Sequence, residues 1–147
     1  MNNVIKIITI YILWIVDLAL ALVLMFITRT LFLQILAMFY QPGNLTYGYK
    51  VGFADKAFSI FIGLIWLAFS IASEAYFRAN VLKEGALKLF ARITGPLMLC
   101  IFIVDLILFW MQGISGGWPR WLILAAELGI GVALLVFANP KPAPKQN

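Results

Sequence analysis

Residues Ile7 to Thr28 form an apolar run of twenty-two residues whose only charged side chain, Asp17, stands at its centre. Coiled as a helix the run is about 33 Å long, which matches the hydrocarbon thickness of a bilayer. This feature constrains the fold more than any other, because in lipid a chain must satisfy its backbone internally, and a helix of this length does so. The same reading puts Asp17 near the membrane midplane, where an ionisable side chain is costly and usually serves a purpose.

Composition extends the reading from one segment to the whole chain. Of 147 residues 64% are hydrophobic and 12% are charged. A soluble domain carries about 25% charged residues, so there is too little polar material here for a water-facing surface. The pattern predicts an all-α polytopic membrane protein, a four-transmembrane-helix bundle. Its spans are expected at about 7–28, 57–77, 95–112 and 119–138 within a single domain over 1–139, followed by a flexible Pro-rich tail at 140–147. Ala19-Leu20-Ala21 resembles a signal-peptidase site, but Asp17 and the apolar residues beyond Ala21 argue that the first span is retained.

The connecting segments carry weaker signals. Leu31 to Tyr40 is apolar but, at about 15 Å, too short to span, so it lies in the interface, dips in and returns, or extends the first helix. Gln41 to Lys56 reads as a loop, with Pro42-Gly43-Asn44 as turn chemistry and Asp55 as an N-terminal cap for the second span. Asn44-Leu45-Thr46 has the form of a glycosylation acceptor, although a turn asparagine explains it as well. Arg78 to Arg92 reads as either a short headgroup helix or a solvated connector. Gly113 to Gly117 is a glycine-rich turn, and Trp118, Pro119 and Trp121 mark re-entry at a membrane surface.

Seven basic residues (Lys6, Arg78, Lys83, Lys88, Arg92, Lys141, Lys145) fall on one side of these spans and four (Arg29, Lys50, Lys56, Arg120) on the other. The positive-inside rule then places both termini in the cytoplasm, or in the stroma of a plastid; the expected location is a bacterial inner (plasma) membrane or a thylakoid membrane. The net charge of +5 follows from this loop bias and not from a nucleic-acid-binding face, so no nucleic-acid partner is expected.

Candidate chemistry rests on three carboxylates, Asp17, Asp105 and Glu127, each inside a different predicted span and all near one depth. Ile15-Val16-Asp17-Leu18 recurs as Ile103-Val104-Asp105-Leu106, suggesting a duplicated helical hairpin about an axis along the membrane normal. No cation reaches these acids within its own helix. Arg120 is seven residues from Glu127, about 10 Å along the axis, and Arg29 is twelve from Asp17. Bare carboxylates close together repel, so they must be apart, protonated, hydrated or paired with another subunit's cations. They are candidates for proton or cation binding, or for hydrogen bonds that hold the helices together.

Other marked residues point to packing. Ala125, Gly129 and Ala133 make a small-residue stripe on the fourth span, with a shorter one at Ser59 and Gly63 on the second. Glu74 precedes Arg78 by four residues, the favoured order for a helical ion pair at the interface. The absence of His removes imidazole-based metal, haem and catalytic sites, and no nucleophile–base pair or phosphate loop is present. No enzyme activity, cofactor or metal is expected.

The readings that remain are a subunit, scaffold or assembly factor of a larger membrane complex, partnered by the lipid bilayer and by other subunits or by self-association, and a small homo-oligomeric proton-coupled transporter. The transporter outline is similar to that of the small multidrug-resistance carriers, which have four spans and an essential acid in the first. That likeness bears on Asp17 alone. The longer loop after the first span and the extra acids in the third and fourth depart from it, and no family is assigned.

Overall fold

The computed structural model describes residues 3–39, 45–112 and 117–139. The Pro42-Gly43-Asn44 turn, the turn residues 113–116 and the tail 140–147 lie outside them. Four helices account for nearly everything described: α1 (Asn3–Phe39), α2 (Leu45–Glu84), α3 (Ala86–Met111) and α4 (Gly117–Ala138). All four are long and apolar enough to cross a membrane, and no strand occurs among the described residues. Large apolar side chains such as Phe53, Ile60, Phe61, Trp118 and Val136 are exposed on the outer faces, a distribution suited to lipid and hostile to water. The chain is a helical membrane protein.

The helices run well past the predicted spans. Residues 31–39 continue α1 without a break, the third of the alternatives left open by the sequence, because no Pro or Gly interrupts them. The loop expected at 41–56 is helical from Leu45 onward, even though Gly48 and Gly52 weaken helix propensity there. Arg78 to Arg92 is neither a headgroup helix nor a connector. α2 reaches Glu84, Gly85 turns the chain with a left-handed φ of 79°, and α3 begins at Ala86. Leu89, fully buried, packs there with Ile10 and Phe77 in a small apolar core. Pro96 consequently lies inside α3 and not in its first turn, which a membrane helix tolerates when neighbours cover the freed carbonyl.

Paired residues fix the topology. Arg29 bonds Asp55, Trp66 bonds the Leu18 carbonyl and Trp14 bonds Ser73, so α1 and α2 are antiparallel. Ile10 meets Leu89 and Asp17 meets Thr94, which makes α3 parallel to α1. α4 returns antiparallel along α3, and among the described residues it packs on α3 alone.

Two polar collars bound the apolar slab. Tyr11, Glu74, Tyr76, Arg78 and Arg92 gather at one end, with Arg78 Nε 3.4 Å from Glu74 and donating to Tyr11 Oη at 3.3 Å, while Arg92 donates to Tyr76 Oη at 3.0 Å. Arg29 and Asp55 stand at the other end. Tyr11 to Arg29 spans about 27 Å of α1, and Asp55 to Arg78 about 34 Å of α2, which brackets a bilayer's hydrocarbon core.

Candidate functional site

Asp17 occupies the junction of α1, α2 and α3 and is fully buried. Thr94, on α3, donates its hydroxyl to Asp17 Oδ1, while Oδ2 has no protein partner. A band of polar bonds surrounds it. Trp14 Nε1 donates to Ser73 Oγ at 3.1 Å, the Ser73 hydroxyl donates to the Ser70 carbonyl, and Ser70 in turn donates to the Trp66 carbonyl. Each buried hydroxyl thus spends its proton on a defined acceptor, as a low-dielectric interior requires. No charged partner appears among the interactions of Asp17; an alcohol is what solvates it.

Asp105 is satisfied differently. Arg120, in the first turn of α4, donates through Nη2 to Asp105 Oδ1 at 2.6 Å, an ion pair with side-chain exposures of 31% and 11%. Glu127 lies two turns further along α4, on the side that faces α3, within electrostatic range of both Asp105 and Arg120. Its Oε2 and the Arg120 Nε are buried and without partners. The site therefore holds one cation bonded to one carboxylate with a second carboxylate nearby, a net charge of −1 if all three are ionised.

The three acids do not share a depth. Asp17 is level with Thr94, and Thr94 lies eleven residues before Asp105 on α3, a separation of about 16 Å along the axis. Asp17 sits about 9 Å inside the Tyr11 collar, not at the midplane. The duplicated Ile-Val-Asp-Leu segments are out of register by the same amount, although α1 and α3 run parallel; a hairpin repeat about the membrane normal would have aligned them. Among the described residues no three acidic or sulfur side chains converge on a common point.

Arg120 is the functional partner that the sequence reading missed, having assigned it to the surface and tested its reach only within one helix. A usable signal was present. In an antiparallel hairpin, residues equidistant from the turn face each other, and Asp105 and Arg120 lie eight residues before and seven after Gly113. Arg29 and Asp55 obey the same rule, thirteen residues either side of Pro42, and pair bidentately at 2.8 and 2.7 Å.

The small-residue stripes do not pack the helices of this chain. Ala125, Gly129 and Ala133 are exposed, and a Cβ built on Gly129 or Gly63 would meet nothing. Ser59, on the Asp55 face of α2, bonds that carboxylate. Close approach occurs instead at Gly95 and Gly131. A Cβ on Gly95 would come within 2.9 Å of Leu135 Cγ, and one on Gly131 within 2.9 Å of Leu99 Cδ2. In comparisons with known proteins the chain matches no family, no curated protein and no solved structure.

Proposed function

We propose that this protein is a non-catalytic subunit or scaffold of a larger membrane complex, joined to its neighbours through α4. The observation that carries this reading is the unused outer face of α4. That helix rests on α3 alone among the described residues, and its Ala125-Gly129-Ala133 stripe is exposed on the far side. In lipid, where apolar contact gives no net drive, such stripes are the usual means by which one helix approaches another closely. Both termini then face the side richer in Lys and Arg, in a bacterial inner or thylakoid membrane.

The transporter alternative receives less support from the geometry. It needs carboxylates that share a path, whereas Asp17 and Asp105 are about 16 Å apart along the axis and Asp105 is tied to Arg120. The test is affinity purification in mild detergent. A subunit brings other membrane chains with it at a fixed ratio, and Gly129→Leu releases them without lowering the isolated chain's unfolding temperature. A native chain that purifies alone and drives proton-coupled uptake of a cation in vesicles refutes the proposal.

A further inference from the structure

Of the carboxylates whose side chains the structure describes, all but one lie near a cation. Asp55 is paired with Arg29 at 2.7 Å, Glu74 with Arg78 at 3.4 Å and Asp105 with Arg120 at 2.6 Å, and Glu127 lies within electrostatic range of Arg120. Asp17 is the exception, and it is also the most deeply buried, with 0% of its surface exposed. Its one bond comes from the Thr94 hydroxyl to Oδ1, and Oδ2, buried as well, meets no donor.

The groups that could compensate a charge there are engaged elsewhere or out of reach. Along α1, Tyr11 is about 9 Å away and accepts from Arg78, while Arg29 is about 18 Å away and held by Asp55. On α2, Glu74 and Arg78 pair with each other, and Tyr76 accepts from Arg92 of α3. Lys88 and Cys100 stand about 9 Å before and after Thr94 along α3, and Asp105, about 16 Å beyond it, is bound to Arg120. α4 packs on α3 alone among the described residues, and no residue of α4 bonds to Asp17.

A buried carboxylate charge with neither a cation nor a second donor is costly in any protein interior, and more so at membrane depth, where no solvent rehydrates it. One proton removes the charge. The hydrogen on Oδ2 then lacks an acceptor, which is a smaller loss than an unmet charge. A metal ion suits the place less well. Hard cations gather about six or more oxygens, and among the described residues no second acidic side chain joins Asp17.

We infer that Asp17 is a proton-binding site: the junction of α1, α2 and α3 closes on the protonated carboxyl, which accepts from Thr94, and opens when the proton leaves for water. The proton thereby ties the α1–α2 hairpin to α3. α4 takes no part, so the inference stands apart from the complex proposed above.

The experiment uses the full chain in detergent. Infrared spectroscopy reads the carboxylic-acid C=O band, and aspartate labelled with carbon-13 at its side-chain carboxyl shifts the bands of Asp17, Asp55 and Asp105 while leaving those of the glutamates. Asp55 and Asp105 are bound to arginines, so the expected result is a single labelled acid band at neutral pH, absent from Asp17→Asn. Equilibrium unfolding against pH reads the same proton. The folded chain keeps it where the unfolded chain, above the ordinary aspartate value of about 4, has released it, so stability falls as pH rises. The unfolding constant climbs by up to about tenfold per pH unit until the folded chain also lets the proton go. Asp17→Asn, neutral throughout, loses that part of the slope, and Glu127→Gln keeps it. A native chain with no labelled acid band at neutral pH overturns the inference without recourse to a variant. So does a band that survives in folded Asp17→Asn, or an unfolding constant that follows sodium or potassium concentration and not pH, which would make the occupant a metal cation.

Discussion

The two helical hairpins have the same plan and different adhesives. Each joins two antiparallel helices and carries one interhelical ion pair roughly equidistant from its turn, Arg29–Asp55 in α1–α2 and Asp105–Arg120 in α3–α4. Beyond that pair, α1 and α2 are held by polar links from Trp14 and Trp66 and by the stack of Phe32 on Phe58, centroids 4.0 Å apart. α3 and α4 are held by close backbone approach at Gly95 and Gly131, with Phe109 edge-on to Trp121. In a solvent as apolar as the side chains, helices adhere by hydrogen bonds or by van der Waals fit, and this molecule uses one for each half. The ion pairs are not equivalent either: the side chains of Arg29 and Asp55 are 42% and 22% exposed, against 31% and 11% for Arg120 and Asp105.

The largest expected effect lies at the less exposed pair. Asp105→Leu leaves the partly buried Arg120 guanidinium without the one carboxylate bonded to it. Breaking a fully buried pair costs 3–5 kcal/mol, and with Arg120 one-third exposed we expect about 2–3 kcal/mol in equilibrium unfolding in detergent. Adding Arg120→Leu removes the stranded charge and recovers most of the loss, since an apolar pair is a fair substitute there. Glu127 is the fallback partner, so Glu127→Gln deepens the loss in the Asp105→Leu background. A silent Asp105→Leu, or a double variant worse than the single, contradicts the pairing.

Next in size is the glycine contrast. Gly131→Ala places a methyl against Leu99 and near the Gly95 carbonyl, and overpacking of this kind costs about 1–3 kcal/mol. Gly63→Ala in α2 meets nothing and should stabilise by about 0.5–1 kcal/mol through backbone entropy alone. The sign difference in unfolding free energy distinguishes the hairpin that depends on close approach from the one that does not. Two changes of the same sign would mean that α3 and α4 are not in intimate contact.

Much of this arrangement was legible in the sequence, and what was not has identifiable causes. Hydrophobic runs announce spans because lipid admits few alternatives, so the four crossings followed from length alone. Their ends did not, because Tyr, Gly and Lys at 47–56 look like a loop and nothing at these positions forbids a helix. The acids in their spans were evident, their partners less so. Thr94 is an ordinary residue in a membrane helix, and only the register of α1 against α3 brings it to Asp17. The identical Ile-Val-Asp-Leu segments misled for the same reason: four residues specify a local helix face, while depth is set by packing along the whole helix. Ala125-Gly129-Ala133 was recognisable as a packing stripe, but a sequence does not say which side of α4 meets α3, and the helix presents Leu124, Gly131 and Ala138 there instead.

The smallest effect tests whether exposure, and not the number of bonds, decides what an ion pair contributes. Arg29 makes two good hydrogen bonds to Asp55 where Arg120 makes one to Asp105, so a count of contacts ranks the first pair higher. Solvent access reverses the order. Asp105 and Arg120 stand at nearly the same depth as Arg29, so what separates the pairs is cover by the protein: the more exposed pair is rehydrated when it is broken, and exposed pairs are typically worth under about 1 kcal/mol. Arg29→Gln should therefore cost less than about 1 kcal/mol, and because the Debye length falls from about 10 Å at 0.1 M salt to about 3 Å at 1 M, the cost should fade across that range. The Asp105→Leu penalty, shielded by the packing of α4 on α3, should persist in the same titration. If Arg29→Gln matched Asp105→Leu in size and resisted salt equally, exposure would not be what separates the two pairs.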